Sequence, residues 1–262
     1  MSVQGVEKER TRRNIIRMGA IGASAIFASL GTIRRAGAAP VLTTPPRPCF
    51  LRGTTIRTAD GGRNVEDLAI GDLLPTMFGG LRPIQWIGRY PIKKSDPSKP
   101  WPKSARPVRI ARSALAANVP QANLYVTQAH CVFIDDVLVS AGLLVNDATI
   151  TLCEAGELNE LEFFHIKLES HDVIYAEGAP VETLLNVDEG AVNFADYFRM
   201  YGAPTIDEAP CLPMLSNWRR SGLKSRIRSA IPWAGRRKRI GAIRGRLEER
   251  AVARSQELEP SL

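Results

Sequence analysis

One cysteine opens the part of this chain that could carry out chemistry. Cys49 follows residues 39–48, where four of ten residues are proline, and a strand-like run begins a few residues later, over 54–58. Proline-rich segments favour extended linkers, so this thiol stands where a folded domain begins. That is a poor place for a core cysteine. It suits a thiol that attacks the carbonyl carbon of its own preceding residue, Pro48, and turns an amide into a thioester.

The elements that would position this thiol are short strands. Alternating residues with regular turn signals predict a compact all-β domain with a solvated loop over 91–107, one helical turn over 113–117 and a hairpin at Asp135-Asp136. No long helical periodicity appears before residue 190. The predicted strands cover residues 54–58, 73–78, 83–88, 108–110, 124–127, 131–134, 137–139, 150–153, 162–169 and 173–176.

The charge is unevenly distributed along the chain. The formal charge of +8 comprises +5 over residues 1–38 and +9 over residues 216–262, which leaves −6 for residues 39–215. An acidic body between two basic ends indicates a globular domain with a leader and a tail, and no specific nucleic-acid binding is predicted. The 44% of hydrophobic residues suffices for a sizeable core, so global disorder is excluded.

Residues 1–38 resemble a bacterial twin-arginine export signal. Arg12-Arg13 precede an apolar run over 18–33, and Ala36-Gly37-Ala38 is a small-residue cleavage site. The run is shorter than the roughly 20 residues that cross a membrane. We therefore expect export to the periplasm or the extracellular space. An uncleaved anchor and a fortuitous amphipathic N-terminus are the alternatives.

Several short blocks follow the leading cysteine in a set order. Together they resemble a Hint domain, the fold shared by hedgehog autoprocessing domains and inteins, in its bacterial stand-alone form. The resemblance covers residues 49–185 and implies a horseshoe-like β fold. The blocks are Cys49-Phe50, Gly53-Thr54, Val65-Glu66-Asp67-Leu68 with Gly71-Asp72, Trp86-Ile87-Gly88, Thr127-Gln128-Ala129-His130 and Glu169-Ser170-His171-Asp172.

The resemblance implies a role for each residue of the site, with no cofactor and no metal. Cys49 is the nucleophile, Thr127 holds the scissile peptide, and His130 protonates the leaving nitrogen, as a histidine with a pKa near neutrality can. His171 matches a second histidine that assists the C-terminal step of inteins. His165 stands where inteins often carry an aspartate, and this difference leaves its role open.

The departures from the family pattern narrow the expected reaction. Splicing inteins end in His-Asn followed by a nucleophile, whereas this chain has Ala-Pro-Val-Glu-Thr over residues 179–183, so we expect no splicing. No apolar region after residue 185 obviously supplies a sterol-binding extension. An N-to-S acyl shift before Cys49 remains, in which water or an external nucleophile resolves the thioester in a single turnover.

The alternative function is an exported structural or interaction module that no longer cleaves. Only about ten residues would be released after signal removal, and the carbonyl of Pro48 is hindered. The site residues also have structural interpretations, since Cys49 could be half of a disulfide and both His130 and His171 could be core histidines. A zinc site would lack standard ligand spacing. Three further cysteines are expected to be core thiols or to form one disulfide: Cys131, Cys153 and Cys211.

The C-terminal third contains two segments without a catalytic motif. Residues 186–215 are expected to pack on the domain as an extension. The basic tail, residues 216–262, places Ile240, Ile243 and Leu247 on one helical face. It is predicted either to be solvated or to form a basic amphipathic helix that contacts an anionic membrane or an acidic partner.

Overall fold

In the computed structural model, the chain is described over residues 48–187, 189–204, 208–215 and 233–258. The predicted export signal, all of the linker except Pro48, and the first part of the basic tail lie outside these ranges. Within them, none of the helices combines the length and the apolar character needed to span a membrane.

The described part is mostly β, as predicted, with short helices between the strands. Its helices are α1 (Ala141–Leu144), α2 (Phe194–Tyr201) and α3 (Trp233–Leu258), with 3-10 turns at Val65–Asp67 and Lys103–Ala105. The fifteen strands in these ranges are β1 (Phe50–Leu51), β2 (Thr55–Thr58), β3 (Gly61–Asn64), β4 (Leu73–Thr76), β5 (Gly80–Pro83), β6 (Trp86–Lys93), β7 (Val108–Ile110), β8 (Leu124–Val126), β9 (Cys131–Ile134), β10 (Val137–Ser140), β11 (Ile150–Leu152), β12 (Glu160–Lys167), β13 (Val173–Ala176), β14 (Ala179–Glu182) and β15 (Met214–Leu215).

The first sheet contains the strand that follows Cys49. Its six strands run in the order β11-β7-β8-β1-β12-β6, and every pair is antiparallel. The short β1 lies in the interior of this sheet, where Phe50 pairs with Val126 of β8 and with Phe164 of β12. Cys49 therefore enters the sheet between two longer neighbours.

The second sheet brings the end of the domain against the strand that follows His130. Its order is β15-β10-β9-β14-β13-β2-β3, in which β15 is parallel to β10, and β4 and β5 form a separate two-stranded sheet. Val132 of β9 pairs with Val181 of β14. This register places the start of β9 beside the end of β14, where a polar cluster is built.

Two hydrophobic clusters pack on the two faces of β1. Phe50 belongs to the main core, whereas Cys49 and Leu51 face a second cluster that contains Trp86 and Tyr90. This follows from strand geometry, because successive side chains point to opposite faces of a sheet. Cys49 and Phe50 are both fully buried.

The predicted strands are largely confirmed, with corrections: β1, β3, most of β5 and β15 were not predicted, and three further differences have physical reasons. The strand β6 continues into the predicted loop as far as Lys93, because it pairs along its whole length with β12. Residues 113–117 form turns and an isolated bridge from Ala116 to Val119 instead of a helical turn. The strand β14 was missed, because its proline and the departure from the intein pattern hid its strand character.

The two longer helices pack on the domain. Tyr197 of α2 contacts Trp86, with ring centroids 5.4 Å apart. On α3, Ile243 and Leu247 are buried in the main core. Arginines of the same helix bind the domain, since Arg250 Nε donates to the Ser113 carbonyl over 2.8 Å and Arg246 pairs with Asp135. The helix α3 is thus packed as part of the domain.

Candidate active site

Thr127 makes two hydrogen bonds to Cys49. The Cys49 amide nitrogen donates to Thr127 Oγ1 over 3.0 Å, and the Thr127 amide nitrogen donates to the Cys49 carbonyl oxygen over 3.0 Å. Both residues are buried. The Cys49 nitrogen belongs to the Pro48–Cys49 peptide, so the threonine hydroxyl contacts the bond that the predicted reaction would break.

The local fold explains why threonine and histidine stand three residues apart. Thr127 follows β8 directly, and a turn closed by a 3.1 Å hydrogen bond from the His130 amide to the Thr127 carbonyl leads into β9. A four-residue turn of this kind reverses the chain within one short span. It brings the side chain of His130 back toward β1, where its ring lies 4.4 Å from that of Phe50.

His130 is buried and neutral. Its side chain is 1% exposed, and among the residues that the structure describes neither ring nitrogen has a hydrogen-bond partner. Burial lowers its pKa from 6.5 to about 4, against the opposing effects of the Glu182 charge and of the Cys49 and Glu182 carbonyls, which lie near the ring. This pKa is well below the near-neutral value expected from the sequence.

His171 is held in one tautomer by its neighbours. Its Nδ1 accepts a hydrogen bond from the Cys211 amide over 3.1 Å, so the ring proton of the neutral form is on Nε2. That nitrogen lies 3.2 Å from Glu182 Oε2, and the His171 amide donates to Glu208 Oε1 over 2.8 Å. The structure thus joins His171 to the site through Glu182.

A comparison with protein families decides the classification. The family model described as "Hint domain" matches residues 48–188, which is more than half of the chain. This chain belongs to the Hint domain family. No curated protein is similar enough to count as a match.

The solved structures similar to this Hint domain include inteins. The crystal structure of the gp41-1 intein is 14% identical over 52% of this chain and 98% of that chain, with a TM-score of 0.32. A DnaB intein from Synechocystis sp. PCC 6803 is 10% identical over 53% and 99%, with a TM-score of 0.37. A bacterial intein-like domain from Clostridium thermocellum is 13% identical over 53% and 99%, with a TM-score of 0.37.

Glu182 is the residue of this Hint domain that sequence reasoning missed. Its Oε1 accepts a hydrogen bond from the Cys131 amide over 2.8 Å, and its Oε2 faces His171. Burial favours the neutral acid, but three other effects outweigh it and lower the pKa of Glu182. They are the hydrogen bond with His171, the positive charges that His171 and His130 carry when protonated, and the hydrogen bond with Cys131. The signal in the sequence that could have pointed to Glu182 was its place in residues 179–183, where the sequence departs from the pattern expected from the resemblance.

His165 lies on the opposite side of Cys49 from Thr127. Continuing the register of β1 and β12 by one residue places His165 across from Cys49, on the same face of the sheet. Its ring is 4.7 Å from that of Tyr90, which belongs to the cluster around Cys49. His165 therefore faces Cys49 across the pair of strands β1 and β12.

None of the four cysteines, all of which the structure describes, is in a disulfide. Cys131 is buried beside the Glu182 carboxylate, which its amide binds. Burial raises the pKa of Cys211 to about 12, and the charges of Asp172 and Glu182 act in the same direction. Cys211 therefore serves His171 through its backbone amide and has a thiol of low reactivity.

Proposed function

We propose that this chain is a Hint-type self-processing domain that acts once, at the Pro48–Cys49 bond. The acyl group of Pro48 moves from the nitrogen to the sulfur of Cys49, and water or an external nucleophile resolves the thioester. The observation that supports this proposal best is the pair of 3.0 Å hydrogen bonds between Cys49 and Thr127. The bond from the Cys49 amide holds the nitrogen of the Pro48–Cys49 peptide, which is the leaving group of the reaction.

The reaction conserves its protons. Cys49 Sγ bonds to the Pro48 carbonyl carbon, the carbon–nitrogen bond breaks, and the thiol proton ends on the amide nitrogen. Neutral His130 is suited to accept this proton and return it to the nitrogen. The imidazolium formed in this way is the acid that donates the proton to the leaving nitrogen.

The reaction ends without splicing in this proposal. Residues 179–182 form β14, which pairs with β13 and β9 and presents a glutamate at its end. No asparagine stands there to cyclise. His171 resembles a histidine that assists the C-terminal step of inteins. In this chain it is bound to Glu182 and to the Cys211 amide, and we assign it to the support of the site.

The sequence also supports proposals about the cellular location, the substrate and the partners of this chain. We propose a bacterial stand-alone protein that is exported through a twin-arginine-type signal to the periplasm or beyond, with its own N-terminal peptide as the substrate. Basic residues of the tail are proposed to meet an anionic membrane or an acidic partner. These proposals rest on residues 1–38 and 216–262, of which the structure describes only 233–258.

The intact mass of the purified chain tests the reaction. We expect loss of the segment before Cys49, faster with dithiothreitol or hydroxylamine, because both attack thioesters. Cys49→Ala should abolish the loss. Cys153→Ala, which removes a half-buried cysteine elsewhere, should cleave like the unaltered chain. An unchanged mass after long incubation of the folded chain would refute self-processing and favour a structural or interaction module.

A further inference from the structure

We propose that Glu182 is a positioning residue of this reaction, which fixes both histidines and supplies the negative charge that faces His130 when it takes up the thiol proton. The inference rests on the proposed function. It concerns a fully buried carboxylate on β14, 51 residues along the chain from the amide that it binds.

The position of Glu182 fixes the turn that carries His130. Its Oε1 binds the amide of Cys131, and this amide belongs to the peptide that follows His130. The pairing of Val132 with Val181 holds β9 and β14 in the register that brings the two groups together. A shift of the carboxylate would therefore move the backbone of His130 relative to Cys49.

Both oxygens of Glu182 must accept hydrogen bonds. The Cys131 amide is always a donor, and His171 Nε2 is a donor because its Nδ1 accepts from the Cys211 amide. An ionised carboxylate can accept at both oxygens, whereas an amide of the same shape offers a donor at one of them. The chemistry of the neighbours thus requires a charged residue at position 182.

The negative charge of Glu182 would stabilise His130 when His130 takes up the thiol proton. A histidine that gains a proton in a buried site pays a large desolvation cost unless an opposite charge is near. The titratable groups that interact with His130 are Glu182 and His171, and those that interact with Glu182 include both histidines and the Cys211 thiol. Of these groups, the Glu182 carboxylate is the one whose charge is opposite to that of an imidazolium at position 130, so it is the one that stabilises it.

The rate of thioester formation tests this inference through matched variants. Glu182→Gln should slow hydroxylamine-dependent cleavage of the full chain by about tenfold or more, since one pKa unit corresponds to a factor of ten. Glu182→Asp keeps the charge and should recover part of the rate. Asp72→Asn removes a carboxylate that pairs with Arg63 away from the histidines and should leave the rate unchanged.

A second measurement does not depend on cleavage. NMR titration of the three histidines in a Cys49→Ala background, with His130 assigned by substitution, reports the pKa of its imidazole. We expect Glu182→Gln to lower this pKa by about one unit and Glu182→Asp to lower it less. If the unaltered chain never cleaves but the shift is seen, self-processing fails and the electrostatic link stands.

Two outcomes overturn the inference. One is a chain that cleaves while Glu182→Gln, correctly folded, keeps both the rate and the His130 pKa. The other applies if the Glu182→Gln variant does not fold, and it uses the carboxyl ¹³C signal of Glu182 in the Cys49→Ala chain. Because both oxygens must accept hydrogen bonds, we expect a carboxylate at about pH 6, and a signal from a protonated acid would overturn the inference. A signal from an ionised group that shifts as His130 titrates supports the inference.

Discussion

Thr127 binds Cys49 at both its amide and its carbonyl, each over 3.0 Å. The carbonyl bond continues the pairing of β1 with β8, whereas the amide bond uses a side chain. A backbone carbonyl could have satisfied the same amide. The hydroxyl is chemically different because it can accept a hydrogen bond from the peptide and donate one elsewhere as the nitrogen is protonated.

The hydroxyl of Thr127 should be needed for the reaction, more than its methyl group. Thr127→Val leaves the Cys49 amide without its acceptor in a buried place, a loss of about 1–3 kcal/mol, and should slow cleavage by about 10- to 100-fold. Thr127→Ser keeps the oxygen and should stay within a few-fold of the unaltered rate. Hydroxylamine cleavage of both variants measures this, and equal rates for valine and serine would contradict it.

His130 should make the domain less stable in mild acid. Its pKa is about 4 when folded and 6.5 when unfolded, so the unfolded chain binds more protons between these values. The free energy of unfolding should therefore fall as the pH falls through this window, by about 2 kcal/mol between about pH 7.5 and pH 5. Urea denaturation of the Cys49→Ala chain measures this decrease.

His130→Gln in the Cys49→Ala chain is the control for the pH dependence of the free energy of unfolding. It removes the group whose pKa differs between the two states, so its stability should fall less over the same pH range. The pKa of Glu182 is lowered from 4.5, so its contribution to the free energy of unfolding is lost only in stronger acid. It therefore does not affect the comparison between about pH 7.5 and pH 5. Equal pH dependence with and without His130 would show that the histidine is not buried in neutral form.

The helix α3 should contribute to the stability of the domain. Leu247 is 5% exposed in the main core, and Leu247→Ala should lower the free energy of unfolding by about 2–5 kcal/mol. Val252 lies on the same helix and is 59% exposed, so Val252→Ala should change stability by about 0.5 kcal/mol at most. Denaturant midpoints distinguish them, and similar small effects would mean that the helix does not pack on the domain.

Cys211 should resist alkylation. With a pKa of about 12, only about one thiol in 10⁴ is ionised at about pH 8, and the thiolate is the reactive form. Cys153 is also only partly buried and should react at least about 100-fold faster with iodoacetamide. Peptide mass spectrometry of the folded chain gives both rates. Cys211→Ala should still cleave, because His171 uses the backbone amide and not the thiol.

The sequence predicted best what depends on neighbouring residues. The strands β7 to β10 follow local alternation, and the Asp135-Asp136 hairpin follows from two residues that both adopt positive φ. The association of Cys49, Thr127 and His130 came from the family resemblance. It could be recognised because the threonine and the histidine belong to one turn.

The parts that the sequence did not reveal depend on distant pairing. Glu182 meets Cys131 only because β9 and β14 are neighbours, and Glu208 and Cys211 reach His171 from an extension 37 and 40 residues further along. The pKa of His130 depends on how completely the core closes around it. None of these relationships leaves a local pattern, so the polar cluster could not be read from spacing.

Cleavage would break the chain just before an interior strand of a six-stranded sheet. The pairs of β1 with β8 and β12 begin at Phe50, so the ladder would survive the reaction whole. The new α-amino group would lie buried beside Thr127, where its uncharged form is favoured. An uncharged amine attacks a thioester, so the acyl shift could run backwards until an acceptor removes the acyl group. The supply of an acceptor nucleophile, and not the domain itself, would then determine when the N-terminal peptide is released.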